Sequence, residues 1–570
     1  MKPSDTSEGY FRLLAQAMHS IRYELAVTAA FSMVINALML MPSMYMLQIY
    51  DRVMISQNEL TLLASTILLA GALLLVAMVE VMRSRLLVRT GIKLDQAISP
   101  LLFQACIASE VQKTSANPTQ PITDLMQVRQ FMTSNGVFAF FDAPWFFIYI
   151  GVLFVLHPWL GWMGLGFALV LMAIGWASHR LNMKPSEESL QAQTLLLADQ
   201  QNKMRNTEVI ESMSMFTHVK HAWSKLYLQN AAAQGRQESL THTLAGFSKF
   251  VRYTQQSFSL GAGALLVIQG DLSPGAMIVG NMLMGRALQP LDSLVSSWRL
   301  FLSAQLSLKR MIQVLETQRN AGKGVLTQQP FGHLSIKNVS FRLPGQSQDI
   351  VRGISFDIPA GQTVCIVGPS GSGKTTLARL LTGIWQPTQG NIELDSAPLS
   401  QWSFPELGKY MGYLPQDVEL MDGTLAQNIA RFEKPESSKV IAAATSAGIH
   451  DMILRFPKGY DTPAGEAGHL LSAGQRQRMA LARSLYGDPS LFIFDEPNSN
   501  LDELGEQALL QTILGLKAAH KTVILITHRP AILASADTLL VMHQGSVQWQ
   551  GPKDQVQAQL EVRKQTKMSI

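Results

Sequence analysis

The chain has 570 residues, enough for several domains at roughly 100–200 residues each, and is 47% hydrophobic but only 15% charged, against about 25% charged in an ordinary soluble domain. With a mean hydropathy of +0.13, it is neither a disordered nor a collagen-like chain. Its two cysteines, Cys106 and Cys365, are too few and too far apart for a secreted disulfide framework or a zinc knuckle; they suit a reducing cytoplasm, and neither reads as catalytic. The net charge of +5 in so apolar a chain points to Lys and Arg in cytoplasmic loops beside a membrane, not to a nucleic-acid partner.

Asp, Glu, Lys and Arg are absent from Leu25 to Tyr50 and from Leu60 to Val79, runs of 26 and 20 residues that match the roughly 20 needed to cross about 30 Å of hydrocarbon. The short polar turn between them, with Asp51, Arg52 and Glu59, joins antiparallel spans. From Ala143 to His179 there are 37 residues free of such charges, broken by His157-Pro158-Trp159, and this predicts a tight helical hairpin. A fifth span is expected over about Tyr253–Gly270 and a sixth over about Pro274–Trp298, separated by the turn Gly270–Pro274 and interrupted in the last case by Arg286 and Asp292. Charged groups in an apolar helix face a protein interior or a watery path, or snorkel to its edge, and the sequence leaves both readings open.

Positive charges set the orientation. Arg12 and Arg22 precede span one, Arg83, Arg85, Arg89 and Lys93 follow span two, and Arg180 and Lys184 follow span four, so these sites and both termini are expected in the cytoplasm. The first apolar run is too long for a signal peptide and lacks a small-residue cleavage site. The polar stretches 83–136 and 180–250 read as cytoplasmic extensions of the membrane helices. Glu208–Met213 within them is either a short docking helix or an ordinary amphipathic segment.

After about Ser307 the composition changes. Gln318–Gln329 reads as a linker, and from Leu334 onward short β-branched runs alternate with helical patterns, as in an α/β domain. The apolar strand Thr363–Val367 feeds Gly368-Pro369-Ser370-Gly371-Ser372-Gly373-Lys374-Thr375-Thr376 and then a helix. This is a complete phosphate loop: glycines let backbone amides approach the phosphates of a nucleotide such as ATP, Lys374 brings a point charge, and the Thr375 hydroxyl suits Mg2+. A second apolar strand, Leu491–Phe494, ends in Asp495-Glu496, the order expected when one carboxylate orients the magnesium shell and the next acts on the attacking water.

Between these strands lies Leu471-Ser472-Ala473-Gly474-Gln475-Arg476-Gln477-Arg478, which resembles the signature loop of ATP-binding cassette (ABC) proteins. The other cassette motifs follow in order: Gln416 in Tyr413-Leu414-Pro415-Gln416, Asp502 in Ser499-Asn500-Leu501-Asp502, and His528 in Ile526-Thr527-His528-Arg529. The resemblance implies a polytopic α-helical membrane domain of six transmembrane helices, of the exporter type, fused to an α/β P-loop ABC nucleotide-binding domain. It implies a catalytic group of Glu496, His528 and Gln416, Mg2+ held by Thr375, Gln416 and Asp495, and ATP on the phosphate loop and Leu343. It also implies a homodimer in which Ser472, Gly474 and Gln475 of one copy complete the nucleotide site of the other. Two positions depart from the pattern: Ala473 replaces a usual glycine, and Leu343, in Phe341-Arg342-Leu343-Pro344, stands where an aromatic usually stacks on adenine. Phe341 is the alternative platform.

Tyr45–Val53, Asp142-Ala143-Pro144-Trp145, Gly285–Asp292 and Pro497–Asp502 sharpen the resemblance, over nearly the whole chain, to the permease/ATPase of bacterial type I secretion systems. With about 25 residues before span one, the chain resembles the branch that exports proteases, lipases and haem-binding proteins bearing uncleaved C-terminal signals, often with calcium-binding repeats. That family implies an inner-membrane location with the ATP-binding domain in the cytoplasm, a membrane-fusion (adaptor) protein, an outer-membrane channel and a secreted polypeptide as partners. An ABC lipid or drug exporter is the alternative, and a soluble cassette ATPase acting on nucleic acid is at odds with six apolar spans. The expected divisions are an N-terminal cytoplasmic segment, 1–24; a transmembrane domain, 25–306; a linker, 307–332; an ATP-binding domain, 333–562; and a tail, 563–570.

Overall fold

The computed structural model describes residues 7–111, 119–319, 326, 328–343, 346–402 and 404–559. It separates into two compact units whose main division falls between Asn320 and Ala321. The expected tail, the first six residues of the N-terminal segment, Pro344, and 320–325 and 327 of the expected linker lie outside the described residues.

The first unit is helical throughout. Helix α1 (Ser7–Leu38) stops short of Pro42, and α2 (Met41–Gln48) starts with that proline in its first turn. A proline ring is tolerated there but not in a helix interior, so the expected first span is two helices in series. A π turn, Ile49–Val53, follows. Helix α3 (Glu59–Val111) is 53 residues long, about 80 Å at 1.5 Å per residue. Its apolar half is the expected second span and the remainder is the expected polar extension. After α4 (Gln120–Met132) come α5 (Asn135–Asp142) and α6 (Trp145–Leu156), bent by 50° relative to each other. Pro144 sits at the bend and has no amide to donate, while Ala143 before it keeps helical backbone at φ −55° and ψ −40°. The expected third span therefore begins earlier and is kinked. At His157 the chain is extended, its side chain accepts from the Trp159 amide, and α7 (Pro158–Arg205) begins, the break that His157-Pro158-Trp159 predicts.

Helices α8 (Phe216–Gln269) and α9 (Pro274–Ser296) flank the expected turn, with Gly270 left-handed at φ 85° and Ser273 capping α9. Among the described residues, only Arg22–Ser56, Glu59–Val111, Pro158–Arg205 and the bent pair are long and apolar enough to cross a membrane. The expected fifth and sixth spans are present as helices but fall below that level. The cause is polar content turned inward: Ser248, Gln255 and Ser259 are buried on α8, and Asp292 on α9 accepts from Ser248 Oγ and lies 3.5 Å from Arg252 Nη1. Arg286 is half-buried and donates weakly to Gln289 Oε1 at 3.4 Å. Residues 207–212 form a short, mostly exposed helix, one residue earlier than the segment singled out in the sequence. A last helix, α10 (Trp298–Arg319), takes in residues 307–319 of the expected linker, because Met311 and Leu315 pack into a core with Leu94, Ile98, Leu102 and Leu125.

Polar contacts tie the helices of this unit together. Asp51, in the π turn, accepts from the Gly275 amide at 2.9 Å and from Ser273 Oγ at 2.5 Å, so it caps α9. A Cβ at position 275 would lie 2.6 Å from Asp51 Oδ1, which is why glycine stands there. Arg83, one of the positive charges that follow the expected second span, is 4% exposed. Its Nη1 donates to Ser32 Oγ at 2.8 Å and to Asp142 Oδ1 at 3.3 Å, and its guanidinium lies 4.0 Å from the Phe138 ring centre. Asn36 Nδ2 also donates to Asp142 Oδ1, at 2.8 Å. Removing one partner of a buried pair strands the other, which costs about 3–5 kcal/mol. We therefore expect Asp142→Ala to lower the melting temperature of the detergent-solubilised chain sharply, and Arg83→Met with Asp142→Leu to recover most of the loss. A single Asp142→Ala as stable as the parent would show that Arg83 finds water instead.

The second unit has two sheets. One is antiparallel, in the order β2 (Val351–Ile358), β1 (Leu334–Phe341), β4 (Gln389–Leu394), β5 (Ala397–Pro398). The other has the order β10 (Ser546–Pro552), β9 (Thr538–His543), β3 (Thr363–Val367), β8 (Thr522–Ile526), β7 (Leu491–Asp495), β6 (Met411–Leu414), parallel except for β10. Alternate residues of its central strands enter different cores. Cys365, Phe492, Phe494, Val523 and Leu525 pack on one face, and Val364, Ile366, Ile493, Ile524 and Ile526 on the other. A parallel sheet covered on both faces reads as continuous apolar runs, and this places the strand ends, where polar residues begin, along one edge.

Candidate nucleotide site

The C-terminal ends of β3, β6, β7 and β8 are neighbours, because Ile366 and Asp495 both pair with Ile526, and Leu414 with Phe494. The residues just beyond these ends are the phosphate loop, Gln416, Glu496 and His528. In open α/β sheets ligands bind outside these carboxyl ends.

After β3 the chain turns through Gly368, Gly371 and Gly373, at φ 158°, 77° and 94°. A Cβ on Gly368 would lie 2.2 Å from the Met542 carbonyl oxygen, so only glycine fits. Helix α11 (Lys374–Leu381) starts at once, and its free amides and dipole favour an anion. Lys374 is 6% exposed, and its ammonium donates to the carbonyls of Gly368 at 2.7 Å and Pro369 at 3.0 Å. Burial pulls its pKa below the usual lysine range, with Glu496 and Asp495 opposing. Pro369, Ser370 and Gly371 are exposed, Thr375 and Thr376 are half-buried, and the Ser372 hydroxyl is buried without a partner among the described residues.

Asp495 is fully buried, and neither carboxylate oxygen has a partner in hydrogen-bonding geometry among the described residues. Burial pushes its pKa up to about 6; the Thr375 hydroxyl and the charges of Arg379 and Lys374 oppose this, while Glu496 adds to it. Two unsatisfied buried carboxylate oxygens beside a threonine hydroxyl are a donor set that fits a hard divalent cation. Glu496 has a left-handed backbone at φ 48°, its amide donates to the Ile526 carbonyl at 2.8 Å, and its Oε2 accepts from Gln416 Nε2 at 3.1 Å. Such a conformation is uncommon for a residue with a side chain and concentrates at functional sites. His528 is exposed and its side chain hydrogen-bonds no described residue. Cys365, by contrast, is buried and its thiol is pushed up to about 12, an inert packing residue.

Ser472 caps helix α12 (Ala473–Leu485) through a capping box: its Oγ accepts from the Gln475 amide at 3.3 Å, and Gln475 Oε1 accepts from the Ser472 amide at 2.9 Å. Ala473 is exposed, so the loop has room for its methyl. Gly474 is different, since a Cβ there would lie 2.7 Å from the Asn500 carbonyl oxygen. No hydrogen bond joins Ser472, Gly474 or Gln475 to the phosphate loop of the same chain among the described residues. Asp502 caps helix α13 (Glu503–Ala518) by accepting from the Gly505 amide at 2.9 Å.

The adenine platform is where the two readings of the sequence separate. Phe341 is 7% exposed and stacks on Trp385, with ring centres 4.9 Å apart and 12° between planes. It is a core residue. Leu343 lies beyond the end of β1, is half-buried and packs against the same core as Phe341, with the exposed Arg342 between them. Leu343→Tyr should lower the Michaelis constants for ATP and GTP alike, about tenfold, since stacking on an aromatic ring is worth roughly 1–3 kcal/mol and every base offers a face to it. Phe341→Ala should lower the melting temperature and leave both constants unchanged; constants that move with Phe341 alone would return the platform to it.

Arg379 was not evident from the sequence. It lies on α11, just after the loop, where its charge acts on Asp495 and its guanidinium sits 4.8 Å from the Trp385 ring centre. Its spacing from Lys374 follows no motif, so only the fold reveals it.

These features define a nucleotide-hydrolysing membrane transporter. The family models for the ABC transporter transmembrane region and for the ABC transporter match residues 25–291 and 351–499. Over 560 residues the chain is 38% identical to the type I secretion system ATP-binding protein PrsD of Rhizobium meliloti (strain 1021), covering 97% of this chain and 96% of that protein. It is 29% identical over 514 residues to the leukotoxin translocation ATP-binding protein LktB of Mannheimia haemolytica (88% and 72%). It is also 29% identical over 516 residues to the leukotoxin export ATP-binding protein LtxB of Aggregatibacter actinomycetemcomitans (88% and 72%). A bacterial Atm1-family ABC exporter with ATP bound shares the fold, with a TM-score of 0.83 at 23% identity, covering 95% of this chain and 96% of that one. The chain belongs to the ABC transporter family, among the ATP-binding proteins of type I secretion systems.

Proposed function

We propose that this chain drives export of a polypeptide across the bacterial inner membrane by hydrolysing ATP, as the ABC component of a type I secretion system. The observation that carries this reading is the likeness to PrsD along 97% of the chain. The chain acts as a homodimer, with its ATP-binding unit in the cytoplasm, beside an adaptor protein and an outer-membrane channel. Its cargo carries a C-terminal signal.

The phosphate loop, residues 368–376, binds the triphosphate, and Lys374 exchanges its two loop carbonyls for phosphate oxygens. Thr375, Gln416 and Asp495 would hold Mg2+, which when bound supplies positive charge against the triphosphate. Glu496, held by Gln416, accepts the proton of the attacking water, and His528 stands at the neighbouring strand end. Ser472, Gly474 and Gln475 serve the partner copy's nucleotide, and Leu343 meets the base.

The test is reconstitution in proteoliposomes with a candidate adaptor and channel. C-terminal fragments of a candidate secreted protein should bind and change the ATPase rate. Stimulation by phospholipid or hydrophobic drug instead, with no response to polypeptide, would move the chain to the lipid and drug exporters.

A further inference from the structure

A polar cavity lies in the polar extensions of the helical unit. It is a solvent-open groove of about 310 Å³ between α4, α7, α8 and α10, in which Gln130, Gln193, Glu238 and Arg299 are exposed. Five of its twelve lining residues are glutamines, at positions 127, 130, 193, 234 and 237, and three more are serines. Its only charged pair, Arg299 and Glu238, is joined at 3.3 Å, so the lining is neutral as a whole. Only Leu190 and Leu300 are apolar.

Some of these groups hold the helices together. Gln237 Nε2 donates to Ser186 Oγ at 2.9 Å, and Gln127 Oε1 accepts from Ser303 Oγ at 2.9 Å and Ser307 Oγ at 2.7 Å. The side-chain amides of Gln130, Gln193 and Gln234 are different: none pairs with another described residue. They come from three separate helices and converge on one space.

A primary amide presents both a donor and an acceptor, and so does every non-proline peptide unit. A neutral cavity lined by such groups pairs with main chain whatever side chains pass. It gives no net attraction to phosphates, as a nucleic-acid channel requires, and too little apolar surface for an acyl chain. At the lower end of the usual range for ligand pockets, about 300–1,000 Å³, it admits a short extended stretch and no folded domain. Resting on the reading of the chain as a polypeptide exporter, we propose that this glutamine-lined cavity binds the extended main chain of the cargo, independently of cargo sequence.

The experiment places the photo-crosslinking residue p-benzoylphenylalanine at position 193 of the full-length chain in proteoliposomes, with position 216 as the control. Phe216 is exposed and lies eighteen residues before Gln234 on α8, about 27 Å along the helix. The probe is a fluorescein-labelled Gly/Ser/Ala/Thr peptide of no net charge, with acidic and basic versions as unlabelled competitors. Crosslinking should occur at 193 and not at 216, and both competitors should suppress it equally. The variant Gln130→Leu/Gln193→Leu/Gln234→Leu should bind the neutral peptide about tenfold or more weakly, having lost three hydrogen-bonding sites. Gln234→Glu should shift the preference toward the basic peptide, a change that a merely structural glutamine would not produce.

Equal labelling at 193 and 216, or crosslinking of 193 to a second copy of the chain, would overturn the inference. If the peptide still alters the ATPase rate in either case, the export reading stands without it. A peptide that neither crosslinks nor alters the rate counts against the export reading, and the inference falls with it.

Discussion

Glu496→Gln is expected to bind ATP and to lose turnover by about 10² or more. The substitution keeps the side chain's size and its capacity to meet Gln416, 3.1 Å away, but an amide accepts no proton from water at neutral pH. The left-handed backbone at φ 48° is unchanged, so the fold should be unaffected. Nucleotide trapping together with steady-state phosphate release measures both halves of the expectation. The mutant should accumulate a nucleotide-bound dimer; turnover within a few-fold of the parent would place the base elsewhere and leave His528 as the next residue to replace.

Asp495→Asn should also abolish magnesium-dependent turnover, yet make the nucleotide-free chain more stable. Burial pushes the pKa of this carboxyl up to about 6, so the folded chain holds that proton more tightly than the unfolded one. The stabilisation is therefore complete below about pH 4, the ordinary aspartate range, and disappears as pH rises through about 6. Above that the ionised group costs about 3 kcal/mol. Asparagine carries no charge and escapes this cost. In EDTA and without nucleotide, the mutant should melt higher than the parent at pH 8, with the difference closing toward pH 4. A mutant that melts lower at pH 8 would mean that the folded chain already stabilises the carboxylate.

The two halves of the molecule were legible in the sequence to different degrees. Phosphate chemistry demands contiguous residues in a strand, loop and helix, so Gly368 to Thr376 and Asp495-Glu496 could be placed from their order alone. The first, second and fourth spans were visible because lipid leaves long stretches without charge. The fifth and sixth were harder, since α8 buries Ser248 and Gln255, and Ser248 donates to the half-buried Asp292 of α9. The pairing of Arg83 was hidden too: counting charges for orientation does not reveal that Asp142, far away in sequence, lies beside it. Sequence distance also hid the helical stretch from 307 to 319, whose apolar positions gain meaning only opposite α3 and α4. That Phe341 is held in the core by Trp385 was hidden by the same sequence distance.

The length of α3 and α8, 53 and 54 residues, has a mechanical consequence. Each is a lever about 80 Å long, and a tilt of about 5° at one end displaces the other by about 7 Å, more than the rise of a full helical turn. Small angular changes thus become large linear ones without any helix unwinding. Pro100 in α3 and Pro185 in α7 each remove a backbone hydrogen bond and soften the rod at one point. Any bending of α3 or α7 is expected to concentrate at these prolines.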